Sequence, residues 1–297
     1  MDTEMTSLVE SPLKVAVSFQ AVLEVSSAMP AVLQIEAAGG THKDCDEDGY
    51  GLHARLFEIP AVTLARRQRV IGAKFDLSPN MTSECYGDLF GNLCRRFLVP
   101  EGQIAIDYSA LIEIDNGREP ERKPYEQDGL ELPAEVMPYL LPSRYCESDR
   151  MGDEAYSLFG DQTPGFERVS NIERWINEHF VYMYGVSDVS TSAINTMSQR
   201  SGVCRDFAHV GISLCRALNI PARYVSGYCP DLETPDLHAW FQAYLDGVWT
   251  NFDATATAPR KALVEVAVGR DAVDCAWCTF FGIGETKSMT VDATLVR

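Results

Sequence analysis

Positive charge is scarce in this chain. Its 297 residues carry 25 Lys and Arg against 43 Asp and Glu, a formal net charge of -18 with a pI near 4.6. Such a chain does not neutralise phosphates, which excludes nucleic acid and anionic membrane as expected partners. The acidity by itself speaks only for solubility. No apolar run approaches the roughly 18 residues of a membrane span, and the opening "MDTEMTSLVESPLK" is acidic, with no apolar leader segment after it. The nine cysteines are odd in number and form no compact, evenly spaced framework. Free thiols in a reducing compartment, and so a cytoplasmic protein, are expected. Internal repeats, low-complexity tracts and Gly-rich phosphate loops are also missing.

Two metal-like motifs fail on inspection. "DCDEDG" sets Asp44, Asp46, Asp48 and Gly49 at calcium-loop spacing, but the twelfth position, where a bidentate Glu is required, is Arg55. "CAWC" (Cys275, Cys278) has no second pair, and a zinc site built on Cys204 and His209 is likewise two ligands short. No metal and no cofactor is expected.

What is present falls into two halves. From residue 13 to 114, "LKVAVSFQAVLEV", "HARLFEIPAVTLARRQRVI" and "FLVPEGQIAIDYSALIEID" alternate in stretches and are rich in Val, Ile and Phe. Turns at Gly91-Asn92 and Glu101-Gly102 separate some of them. This predicts a β-sandwich-like domain over 1–118. The charged, Pro- and Gly-rich "DNGREPERKPYEQDGLELP" reads as a linker, placed at 119–138. A second domain is expected over 139–297.

There the periodicity turns helical. "TPGFERVSNIERWINEHF" has Thr163 as cap and Pro164 as first helical residue, with Ile172, Trp175, Ile176 and Phe180 as its stripe. A short helix is expected in "TSAINTMSQR". The next starts near Val203, with Val203, Phe207, Val210, Leu214 and Leu218 on one face, and ends before Pro221. "ARYVSGY", "LHAWFQAYL" and "VWTNFD" follow as strands, the last two joined by Asp246-Gly247, a two-residue hairpin signal.

"SGVCRDFAH" places Cys204 in the first turn of that helix, where free N–H groups and the dipole favour a thiolate. Buried inert thiols are common, so the position alone does not decide its role. The hairpin supplies partners. A two-residue loop puts Leu245 opposite Val248, Tyr244 opposite Trp249, Gln242 opposite Asn251 and Trp240 opposite Asp253. His238 then shares the face of Trp240 and is a diagonal neighbour of Asp253, about 7–8 Å away at Cα and within reach of its carboxylate. Asp206 and His209 point elsewhere on the helix and are read as structural anchors.

"GVCRDFAHVGISLCRALNIPARYVSGY", "DLHAWFQAYLDGVWTNFDATATAPR" and "GRDAVD" together resemble the bacterial transglutaminase-like superfamily, a papain-like group of cysteine acyl-transfer and hydrolytic proteins. The resemblance covers about residues 140 to 282, and "DLFGNLCRRFLVPEGQIAIDYSALIEI" looks like the β-rich region that precedes the core in many members. It implies an α+β fold in which a helix bearing Cys packs on an antiparallel sheet bearing His and Asp. It makes Cys204 the nucleophile, His238 the general base and Asp253 the group that holds the imidazole. The implied substrate is a peptide or protein amide. Hydrolysis would make the protein an amidase or peptidase, an amine acceptor would make it a transglutaminase, and a binding module retaining the fold is a third reading. The Cys204 N–H is the first oxyanion donor to consider. Tyr182, in "FVYMYGVS", and Gln199 are candidates for the second, and Trp240 for a wall of the site. "GRDAVD" (Gly269 to Asp274) is expected to close a loop nearby.

Overall fold

The computed structural model describes residues 12–39, 67–115, 123–234, 236–257 and 260–296. The alternation noted in the first half produces six strands: β1 (Leu13–Val25), β2 (Met29–Leu33), β3 (Gln68–Ser78), β4 (Ser83–Gly87), β5 (Leu93–Val99) and β6 (Gly102–Ile114). β1 and β6 pair antiparallel with Phe19 opposite Tyr108, and each buries every second residue. β6 also pairs with β3, while β5 lies between β2 and β4. The inner faces of these two sheets share one core, with Phe19, Leu23, Ile104 and Ile106 from one and Ala31, Leu33, Phe97 and Val99 from the other. The N-terminal half is thus β-rich and sandwich-like, as expected. "DCDEDG" and most of "HARLFEIPAVTLARRQRVI" lie outside the described residues. Cys85, in β4, is disulfide-bonded, so the expectation of free thiols throughout does not hold.

The second half wraps helices around one buried helix. α1 spans Gly152–Phe159, α2 Phe166–His179, α3 Ala193–Gln199 and α4 Cys204–Ala217. Every residue of α4 from Asp206 to Arg216 is buried. β7 (Val181–Tyr182) and β8 (Ser201–Gly202) form a small parallel pair immediately before α4. One face of α4 packs on an antiparallel sheet of order β11-β10-β9-β12, made from β9 (Ala222–Tyr228), β10 (His238–Leu245), β11 (Val248–Phe252) and β12 (Val264–Gly269). Gly211 allows that approach. A Cβ there would stand 2.5 Å from the Phe241 ring, which itself stacks on Phe252.

Three expectations need correction. α2 starts at Phe166, not at Pro164, because the preceding segment docks on its end: Gly165 N–H donates to the Glu126 carboxylate and Phe166 N–H to the Pro124 carbonyl. The described part of the 119–138 linker is therefore packed structure, and the short 3-10 helix Ala134–Leu140 buries Val136 and Tyr139. The chain also does not stay in its second half after 139. β13 (Cys278–Phe280) pairs with β2, and β14 (Gly284–Val296) runs the length of β1. Local periodicity cannot reveal that return, since it is the open edges of β1 and β2 that draw the C-terminal strands back.

The halves are joined by amide side chains that act as a partial strand along the β12 edge. Asn92 exchanges two hydrogen bonds with the backbone of Val268, at 2.7 and 2.8 Å. Gln68 does the same at Glu265, with both bonds at 2.8 Å. This satisfies backbone groups that an open strand edge would expose. Gly211→Ala is expected to destabilise the fold by about 1–3 kcal/mol through overpacking against Phe241, measured as a shift in urea midpoint, with Phe241→Leu in the same chain recovering part of the loss.

Candidate active site

α4 begins at Cys204, as its apolar spacing predicted. Its N-cap, Val203, has no side-chain oxygen, so Asp206 supplies one from within the first turn. The buried Asp206 carboxylate accepts the Val203 N–H at 2.9 Å and two bonds from Arg205. An acidic group here also suits the helix dipole. Gly202 is needed because any Cβ would meet Asp206 Cβ at 2.7 Å. Asp206 thus builds the helix start that carries Cys204. The Cys204 side chain is partly exposed and its thiol is free.

The hairpin has the register read from Asp246-Gly247: Leu245 pairs with Val248, Tyr244 with Trp249 and Gln242 with Asn251. His238 opens β10 and Asp253 follows β11, and His238 Nε2 donates to Asp253 Oδ2 at 2.8 Å. Both side chains are almost fully buried. His238 Nδ1 finds no hydrogen-bond partner of regular geometry, and the Cys204 thiol is close enough to act on the ring. The His238 ring therefore faces the same side of the sheet as Cys204. Burial disfavours the imidazolium, but Asp253 and the Cys204 thiol outweigh it and hold the His238 pKa well above its ordinary value. Burial likewise pushes the Asp253 carboxyl up, and His238 together with Thr255 overcomes this and holds it below its usual range. A thiol beside an imidazole that is oriented by a carboxylate is a set suited to attack on a carbonyl.

The remaining sequence candidates divide. Tyr182, in β7, lies against the cysteine helix, its ring edge-on to Phe207 at 5.8 Å. Burial, the Cys204 thiol and Tyr184 all push its hydroxyl pKa up, and the hydroxyl lies 3.4 Å from that of Tyr184. Trp240 is 1% exposed, stacks under His238 at 6.0 Å and donates to Asn251 Oδ1 at 3.0 Å. It backs the histidine and does not wall an open cleft. Gln199 is exposed at the last residue of α3, five positions and one strand away from Cys204, and makes no hydrogen bond to it.

His209 is buried between Tyr145 and Tyr224, with ring centroids at 5.1 and 5.2 Å. Its Nε2 accepts the Ala272 N–H at 3.2 Å. "GRDAVD" is thus a cap on the flank of α4: Asp271 accepts the Tyr145 and Val273 N–H groups, and Arg216 donates to the Arg270 carbonyl. Burial depresses the His209 pKa to about 3. Cys275 lies buried behind this turn, and Cys278 starts β13.

Sequence reasoning missed the groups that hold Asp253 from below. Glu173 accepts the Asp253 N–H at 2.7 Å and is ion-paired with Arg260. One turn later Asn177 donates to the Ala254 carbonyl at 2.9 Å. Each directly follows a core isoleucine, Ile172 or Ile176, so the available signal was an i, i+4 polar pair at the border of an apolar stripe.

Comparison with known proteins supplies a family context. The sequence model described as "Transglutaminase-like superfamily" matches residues 155–254. A solved structure described as a "Putative Cysteine Protease" from Cytophaga hutchinsonii is similar over 97% of this chain and 92% of its own, at 30% identity and a TM-score of 0.82. An uncharacterized protein of Mycobacterium leprae is 28% identical over 225 residues, 71% of this chain and 80% of its own. Another, of Mycobacterium tuberculosis, is 26% identical over 234 residues, 70% of each.

The two buried histidines give opposite pH dependence. The raised His238 pKa contributes stability that is present below its ordinary 6.5 and lost as pH rises through the raised value. His209 stays neutral in the fold, so stability falls as pH drops from 6.5 towards about 3. The lowered Asp253 pKa adds to that acid loss below 3.8. Thermal denaturation against pH is expected to peak near the ordinary histidine value, with His238→Gln flattening the alkaline limb and His209→Gln the acid limb. Glu173→Ala is expected to cost about 1–3 kcal/mol by orphaning the buried Asp253 N–H, read from urea denaturation at neutral pH.

Proposed function

The chain belongs to the transglutaminase-like superfamily, whose fold supports cysteine-dependent acyl transfer or hydrolysis, and on that premise we propose that it hydrolyses an amide through Cys204, His238 and Asp253. The observation that carries this reading is the buried 2.8 Å bond that fixes the His238 ring on Asp253 while Nδ1 is left towards the thiol at a helix start. The likeness to the Cytophaga structure, described as a "Putative Cysteine Protease", points the same way.

The steps follow from the geometry. Cys204 Sγ attacks the amide carbonyl carbon, and the positive end of α4 favours the negative sulfur. The carbonyl oxygen gains charge and is received by the Cys204 N–H and the hydroxyl of Tyr182, whose strand pairs with the segment just before Cys204. His238 carries the proton on Nδ1, held there by Asp253, and passes it to the leaving nitrogen as the C–N bond breaks. A thioester remains. Water then attacks the thioester, His238 Nδ1 takes its proton, and the C–S bond breaks to release a carboxylic acid. An amine in place of water would give a new amide.

Limiting iodoacetamide across about pH 5 to 9, with every cysteine mapped by mass spectrometry, tests the nucleophile. Cys204 is expected to label far faster than the other thiols near pH 6, and to lose that advantage in His238→Ala. A Cys204 that labels no faster than Cys278 would remove the reading. Incubating wild type with amide substrates, with and without an added primary amine, distinguishes the products: a free acid in both cases for hydrolysis, an amine-dependent amide for transfer.

A further inference from the structure

A strip of apolar side chains runs from the nucleophile towards the base. Val181, Tyr182, Met183 and Tyr184 are 57%, 39%, 47% and 55% exposed. A strand normally hides one of its faces, yet both residues of β7 are exposed and so are the two that follow it. Contiguous exposed apolar surface of this kind marks a place that something covers. The near end of the strip pairs with β8, Tyr182 lying opposite Gly202, two residues before Cys204. Only one edge of β7 is taken in this way, and among the described residues no strand lies on the other. At the far end the Tyr184 hydroxyl meets Thr234 Oγ1 at 2.7 Å. The strip therefore abuts the segment that leads into His238.

That segment has a single sign of charge. Asp231, Glu233 and Asp236 are exposed, and no Lys or Arg occurs between Arg223 and Arg260. None of the three acids joins an ion pair among the described residues.

We infer that the substrate is an extended, cationic polypeptide segment that lays apolar side chains along Val181–Tyr184 and directs basic ones to Asp231, Glu233 and Asp236. The inference rests on the amide-hydrolysis reading for its reaction, but the surface stands on its own observations. Even fully extended, four residues span no more than about 13 Å, enough for a short unfolded stretch and too little for a folded domain. An open strand edge is a known acceptor of extended peptide. The acidic segment selects for positive charge. A second copy of this chain fits poorly, because it would bring its own net charge of -18 to an acidic rim.

Binding is read by fluorescence anisotropy on Cys204→Ala protein, which cannot form the thioester. The probe is a labelled ten-residue peptide alternating leucine and lysine around a central Gln-Gly, with a counterpart carrying glutamate for lysine. The lysine peptide is expected to bind, and the glutamate peptide to bind at least about ten-fold more weakly. Val181→Ser with Met183→Ser is expected to weaken the lysine peptide by about ten-fold, as is Asp231→Lys with Glu233→Lys. Glu101→Lys with Glu131→Lys makes the same change in net charge at exposed sites elsewhere, and is expected to alter affinity by less than about two-fold. Equal loss in that control, unchanged affinity in the Val181/Met183 variant, or equal binding of the glutamate peptide would each overturn the proposal. An activated Cys204 in wild type with no peptide binding removes this site and leaves the reaction. Peptide binding beside an inert Cys204 does the reverse.

Discussion

The hydrogen bond between His238 and Asp253 is formed where water cannot share the load. Burial alone would drive the imidazole and the carboxyl to their neutral forms, and each is held charged by the other, with help from Cys204 on the imidazole and Thr255 on the carboxylate. Such a pair tolerates little slack, since loss of one partner leaves a buried charge uncompensated. The surrounding structure can be understood from this requirement. Thr255 donates twice to the Asp253 carboxylate, through its N–H and its hydroxyl. Glu173 and Asn177 grip the backbone on either side of that carboxylate. Trp240, tied to Asn251, gives the His238 ring a flat surface to rest on.

The third member of the set comes from a different layer, and the fold has to align the two. α4 reaches the sheet closely because Gly211 yields space to Phe241. Its first turn is closed by Asp206, and its flank by the 269–274 turn through His209 and Arg216. The N-terminal sheets serve the same alignment at a distance. Asn92 and Gln68 cap the β12 edge, the Tyr228 hydroxyl donates to the Ile35 carbonyl at 2.6 Å, and Tyr108 stacks on Tyr228. The sheet that carries His238 is thereby held along the edge remote from the hairpin, and α4 along its buried face. Tyr182, on a two-residue strand with one neighbour, and Tyr184, in the turn after it, remain outside this frame.

Legibility followed sequence distance. Cys204 at a helix start could be read because the 4, 3, 4, 4 spacing of its apolar face is a property of fifteen or so adjacent residues. The His238–Asp253 pairing could be read because a two-residue loop leaves one register only, and register fixes which side chains meet. Glu173 could not be connected to Asp253, since 80 residues separate them. Gln199 was close to Cys204 in sequence, but it ends α3 exposed to solvent, with β8 between the two, and forms no hydrogen bond to Cys204. Trp240 was placed on the correct face, but the sequence carries no sign that the ring would lie beneath the histidine. The start of α2 was misread because its donors are taken by Glu126 and Pro124, some forty residues earlier.

The sequence by itself therefore determined the local pieces: the alternating strands, the cysteine helix, the hairpin and its register, and the acidic balance of charge. These follow from periodicity and turn geometry, which act over a few residues. Only the tertiary structure decided that the last strands return to β1 and β2, that Cys85 is disulfide-bonded, that Glu173 and Asn177 support Asp253, and that an apolar strip near Cys204 is exposed among the described residues. Each depends on which surfaces and edges meet after folding, and a pattern of adjacent residues carries no record of the partner that satisfies it.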